Sequence, residues 1–112
     1  MEYQLSLFLA TLHGKVSESV LPRTRQMCGR ILQTVPGETP EPQASISEDG
    51  GIELCWHLGH YSFEIEVLEE SVAFFFRNQA NRRYFWAITD NPEDEIPGRF
   101  RDKFIERVWM NK

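Results

Sequence analysis

The chain has 112 residues, 41% of them apolar and 12% aromatic, enough for one core without disulfide or metal staples. Its formal charge is −5 with the carboxylates in blocks, which excludes a uniformly basic surface for coating nucleic acid. No stretch approaches the roughly 20 apolar residues of a membrane span, and the run Leu5–Leu12 lacks the basic start and small-residue cleavage site of a secretory leader, so a cytoplasmic protein without membrane contact is expected.

Leu5, Phe8, Leu9 and Leu12 recur at helical spacing, with Gln4, Ser6 and Thr11 on a polar side, and Gly14 ends the element. Tyr3, Leu5, Leu7 and Leu9 also fit strand alternation; helix is the expectation. A second helix opens near Pro22, whose missing N–H is not needed in a first turn. Met27, Cys28, Ile31, Leu32 and Val35 form its apolar stripe, Arg23, Arg25 and Arg30 face elsewhere, and Pro36-Gly37 stops it. Residues 36–43 carry three prolines and read as a stiff polar connector.

Five short strands are expected next. Ala44 to Ser47 forms the first, and Glu48-Asp49-Gly50-Gly51 is a hairpin turn in which glycine supplies the positive φ. The second strand alternates Ile52, Leu54 and Trp56 inward against Glu53, Cys55 and His57, and Leu58-Gly59-His60 turns the chain. The third alternates Tyr61, Phe63, Ile65 and Val67 against Ser62, Glu64, Glu66 and Leu68. After Glu69-Glu70, Val72, Phe74 and Phe76 alternate with Ala73, Phe75 and Arg77. A polar turn, Asn78 to Asn81, leads into Arg82 to Ile88, with Tyr84, Trp86 and Ile88 on one side and Phe85 and Ala87 on the other. Tyr84 and Trp86 are expected in the core. Asn91 to Glu95 is an acidic loop. Pro97 opens a closing helix with the stripe Phe100, Phe104, Ile105 and Val108, and with Arg107 and Lys112 at its far end.

The result is one α+β domain: a helical segment over 1–35, a four- or five-stranded antiparallel meander over 44–88, and a closing helix over 97–109, with the helices on one face of the sheet.

The order of motifs resembles a set of small, mostly uncharacterised bacterial and phage proteins often carried on mobile elements. The residues that carry the resemblance are Asp49 and Gly50 in the hairpin, Ile52, Leu54 and Trp56, the strand Phe63-Glu64-Ile65-Glu66, and Ile96-Pro97 before the last helix. It spans roughly residues 22–108. It implies a helix-backed sheet in a prokaryotic accessory protein and brings no activity, cofactor or catalytic residue.

No constellation in the sequence meets the needs of bond chemistry. Cys55, His57, His60 and Glu64 are zinc-type ligands, but alternation puts Cys55 and His57 on one face and His60 in a turn. His13 with Cys28 or Cys55 has nothing to bring thiol and imidazole together. Glu64 and Glu66 are paired carboxylates, but such short loops build no deep cleft around them. Cys28 and Cys55 sit in apolar contexts and read as two buried free thiols; a disulfide between them is arithmetically possible.

Two surface features remain. Arg77, Arg82 and Arg83 followed by Tyr84, Phe85 and Trp86 interleave cations with aromatics, as a nucleic-acid module would, although Glu64 and Glu66 on a nearby strand repel phosphate. Cys55, Leu68, Phe75 and Phe85 fall on the supposed outer face, rimmed by Glu53, Glu64, Glu66 and Arg77. Either Tyr3–Leu12 or a second copy of the chain covers that face, or it binds another protein. The expectation is a non-enzymatic factor that blocks or modulates a protein partner, such as a host defence complex. In it Glu53, Glu64 and Glu66 supply charge, with Arg77 at the rim and Phe75 and Phe85 as anchors. An antitoxin or immunity protein is the second class, and a nucleic-acid module using Arg77, Arg82 and Arg83 the third.

Overall fold

Apolar residues at every second position, punctuated by glycine and polar turns, commit the centre of the chain to strands. In the computed structural model these are β1 (Gln43–Ile46), β2 (Ile52–Leu58), β3 (Tyr61–Val67), β4 (Val72–Asn78) and β5 (Arg83–Thr89). They lie side by side in that order, each antiparallel to the next. Helix α1 (Val20–Thr34) precedes the sheet and α2 (Gly98–Met110) follows it, so the α+β meander expected from the sequence is the architecture observed. The structure describes residues 16, 19–35, 37–89 and 96–110. The helix expected over Leu5–Leu12, His13 and the acidic loop Asn91–Glu95 lie outside the described residues. No helix among the described residues is long and apolar enough to cross a membrane.

Each turn has a local cause. Between β1 and β2, Gly50 has φ +82° and the Ser47 side chain accepts a bond from the Gly51 N–H at 3.0 Å. The Ser47 N–H donates to the Gly51 carbonyl at 2.9 Å, closing the hairpin. Between β2 and β3, Gly59 takes φ +64°. Helix α1 ends at Thr34, and Glu38 N–H and Thr39 Oγ1 both donate to the carbonyl of Val35, each at 3.0 Å. The connector that follows is tied down by Trp56, whose indole N–H donates to the Pro40 carbonyl at 2.8 Å.

One face of the sheet carries the core. Ile52, Leu54 and Trp56 from β2, Phe63, Ile65 and Val67 from β3, and Val72, Phe74 and Phe76 from β4 are all buried. Val20, Met27, Cys28 and Ile31 of α1 and Phe100, Phe104 and Val108 of α2 join the same cluster. The stripes expected on both helices are thus the faces they bury; Leu32 and Ile105 sit half-buried at the margins. Thr24 is a buried addition, made tolerable because its hydroxyl donates to the Val20 carbonyl at 2.8 Å. The aromatic rings interlock edge to face: Phe104 meets Trp56 and Phe63, each at 5.3 Å, and Phe100 meets Phe63 and Phe74, each at 5.5 Å. Such pairs add about 0.5–1.5 kcal/mol each beyond the burial itself.

Candidate functional site

Two helices on one face leave the other face of a five-stranded sheet without a covering layer among the described residues. Strand register arranges its side chains in three rows. Ser45, Glu53, Glu66, Ala73 and Ile88 form the first, reading from β1 to β5. Gln43, Cys55, Glu64, Phe75 and Trp86 form the second. His57, Ser62, Arg77 and Tyr84 form the third. The β2–β3 half is therefore acidic and the β4–β5 half apolar and aromatic.

The register corrects one expectation. Phe85 does not lie on this outer face: it pairs with Phe76, stacks on it at 5.3 Å, and packs against the core, with the Arg99 guanidinium 5.1 Å from its ring. Tyr84, Trp86 and Ile88 take the outer positions instead and are 69%, 60% and 51% exposed, so the assignment of Tyr84 and Trp86 to the core is overturned. The polar turn occupies residues 79–82, so Asn78 pairs with Arg83. Counting inward from that pair puts Phe76 with Phe85 and Phe75 with Trp86. The turn expected over Asn78–Asn81 is also four residues long and would set Phe85 opposite Phe74, so strand alternation places Phe85 on the core side with either turn.

Glu53, Glu64, Glu66 and Phe75 are brought together as expected. With Ala73 and Trp86 they line a shallow depression of about 220 Å³. Glu53 stands directly opposite Glu66. Burial, followed by the charges of Glu64, Glu66 and Glu48, pushes the Glu53 carboxyl above its ordinary value. The depression thus holds crowded negative charge that an incoming cation would relieve.

Arg77 is on the same face but in the third row, with Tyr84 as its cross-strand partner. Arg82 lies in the hairpin, while alternation sends Arg83 to the helix-backed side with Phe85. Of the three arginines expected to act together, the fold gathers two.

A hydrogen-bonded chain from the β4–β5 turn through the third row to Cys55 in the second escaped the sequence reading. Gln79 Nε2 donates to Ser62 Oγ at 2.9 Å, Ser62 Oγ lies 3.3 Å from His57 Nδ1, and His57 Nε2 lies 3.5 Å from Cys55 Sγ. The signal was present: a two-residue turn after Leu58 puts His57 opposite Ser62. The Cys55–His57 contact does not make an activated nucleophile, because burial, then Glu64 and Glu53, raise the thiol's pKa. Cys55 is half-buried rather than buried, whereas Cys28 is buried in the core with its pKa pushed up to about 12; both are free thiols. No three His, Cys, Asp or Glu side chains converge as a metal site among the described residues. In comparisons with known proteins no family model, curated protein or solved structure matches the chain, so a functional reading rests on the chemistry of this face.

Proposed function

We propose that the chain is a non-enzymatic protein-binding factor whose outer sheet face docks on a basic groove of another protein and blocks or modulates it. The observation that carries the reading is the division of that face. Glu53, Glu64 and Glu66 crowd one half, and Phe75, Trp86, Tyr84 and Ile88 occupy the other. Lys or Arg side chains of the partner neutralise the carboxylates, while an apolar side chain fills the depression against Phe75 and Trp86. Trp86, 60% exposed, takes the anchoring role first expected of Phe85. Inhibition of a host complex is the role we propose for such a face on a small acidic chain; a cognate toxin with a basic surface fits the same face. A reading in which Tyr3–Leu12 covers the face falls on residues outside those described.

The test compares three proteins on equal footing: the native chain, Glu53→Lys/Glu64→Lys/Glu66→Lys, and Trp86→Ala, each checked for folding by circular dichroism. A partner captured from host lysate by the native chain should be lost by the charge reversal, weakened at least about tenfold by Trp86→Ala, and released by moderate salt. A partner held equally by all three would reject the assignment.

A further inference from the structure

We infer that the β4–β5 hairpin carries a nucleoside-phosphate site, in which Arg77 and Arg82 hold the phosphate and Tyr84 stacks on the base. The site goes beyond the protein-docking role and shares Tyr84 with it, but its lining residues lie outside the acidic depression.

Arg77, Gln79, Arg82 and Tyr84 line a depression of about 420 Å³ at the corner of the outer face. Arg77 and Tyr84 are cross-strand partners, so both project from the sheet side by side. Arg82 reaches the same place from the turn. Its backbone sits at φ +61°, held by a bond from its N–H to the Asn78 carbonyl at 2.8 Å. The flanking bonds, Ala80 N–H to Asn78 Oδ1 and Arg83 N–H to Asn81 Oδ1, are each 3.0 Å. Gln79 N–H donates to the His60 carbonyl at 2.8 Å and its side chain to Ser62, so the hairpin is pinned to the neighbouring turn. The loop that presents Arg82 beside the strand residue Arg77 is thereby tied down by its own hydrogen bonds.

Neither guanidinium has a carboxylate partner among the described residues. Two unneutralised forks converging on one depression call for an oxyanion, and phosphate matches guanidinium geometry with paired hydrogen bonds. The aromatic wall chooses what the phosphate is attached to. Tyr84 stacks on Phe75 with centroids 6.1 Å apart and planes at 27°, yet it is 69% exposed, which leaves its other face for a planar ring. Trp86 follows two residues along on the same side.

The rest of the face limits the ligand's size. A polynucleotide leaving this corner along the sheet would carry its phosphates past Glu64, Glu66 and Glu53. A single nucleoside phosphate stays clear of them.

The test titrates the full chain at low salt with adenosine monophosphate, adenosine, inorganic phosphate and a short oligothymidylate, following tryptophan fluorescence and calorimetric heat. Adenosine monophosphate should bind at least about tenfold more tightly than adenosine or inorganic phosphate, because only it engages both halves of the site. Arg77→Ala should weaken it by a similar factor, and Tyr84→Ala should reduce it to the affinity of inorganic phosphate. Arg82→Gly removes the guanidinium while suiting the positive φ, so it keeps the hairpin and should also lose binding. Arg25→Ala on α1 should bind as the native chain does. Equal affinity for the nucleotide and inorganic phosphate, unchanged binding by Arg82→Gly, or tighter binding of the oligothymidylate than of the mononucleotide would each overturn the proposal.

Discussion

Phe76 and Phe85 stack at 5.3 Å with their planes 23° apart on the helix-backed side of the sheet, and this pairing sends Trp86 to the opposite face. The consequence for stability can be measured. Phe74→Ala removes a fully buried ring that meets Phe100 edge to face, and should cost about 3–5 kcal/mol. Trp86→Ala removes a larger side chain from an exposed position and should change stability by no more than about 0.5–1 kcal/mol. Urea unfolding of both variants decides it. A Trp86→Ala loss comparable with that of Phe74→Ala would mean that Trp86 is core after all.

The strands, both helical stripes and the acidic cluster were legible because each follows from a local rule. Ile52, Leu54 and Trp56 must share a face, whatever pairs with them, and so must Glu64 and Glu66. What the sequence reading missed was consistency across the last hairpin. The turn expected over Asn78–Asn81 and the observed turn over 79–82 each hold four residues, so both put Phe85 on the face of Phe74 and Phe76 and Trp86 on the opposite one, and placing Phe85 with Phe75 broke the alternation of the strand itself. The Gln79–Ser62–His57–Cys55 chain was missed because the turn expected over Leu58–His60 is one residue longer than the observed turn at 59–60, which sets His57 opposite Ser62.

Glu53 gives a pH signature. Its carboxyl titrates above the ordinary glutamate value, through burial first and the neighbouring carboxylates second. The native state therefore holds that proton more tightly than the unfolded chain does, and the charged form is a penalty on folding. The penalty is fully present above the raised native value and is relieved as pH falls through it toward the ordinary value. Glu53→Gln should accordingly stabilise the domain at neutral pH by about 0.2–1 kcal/mol, the scale of like charges facing each other across strands. The difference between variant and native chain should shrink as the solution is acidified through the carboxylate range. Thermal melts across that range test both statements; a variant less stable than the native chain at neutral pH would contradict them.

The two thiols should react in sequence. Cys55 is half-buried on the outer face and Cys28 is enclosed by the core, its pKa pushed up to about 12. A maleimide or disulfide reagent should label Cys55 in the native protein and reach Cys28 only through unfolding. Glu64 stands opposite Cys55 and raises its pKa after burial does. Glu64→Gln should therefore enlarge the thiolate fraction and speed Cys55 labelling at neutral pH. Mass spectrometry of labelled peptides over time separates the sites. Prior labelling of Cys28 would contradict the enclosure of that thiol by α1 and the sheet.

Gly50 and Gly51 are adjacent but required for different reasons. Gly50 has φ +82° with open space around it, so Gly50→Ala strains only the backbone and should cost about 1–3 kcal/mol. Gly51 has no positive φ requirement, but a Cβ there would collide with the backbone carbonyl of Val67 and crowd Leu68. That carbonyl belongs to β3 at the point where Ile52 pairs with Val67, so relief requires β2 and β3 to part. Overpacking of this kind costs about 1–3 kcal/mol even when a side chain can yield, and here the obstacle is main chain, so Gly51→Ala should be the more damaging of the two. The damage should also reach the outer face, since Glu53 opposes Glu66 one residue further along the same ladder. Urea unfolding ranks the two variants, and the binding assay reports the second effect. Gly51→Ala with native stability and native partner affinity would show that the β2–β3 register does not hold the acidic cluster in place.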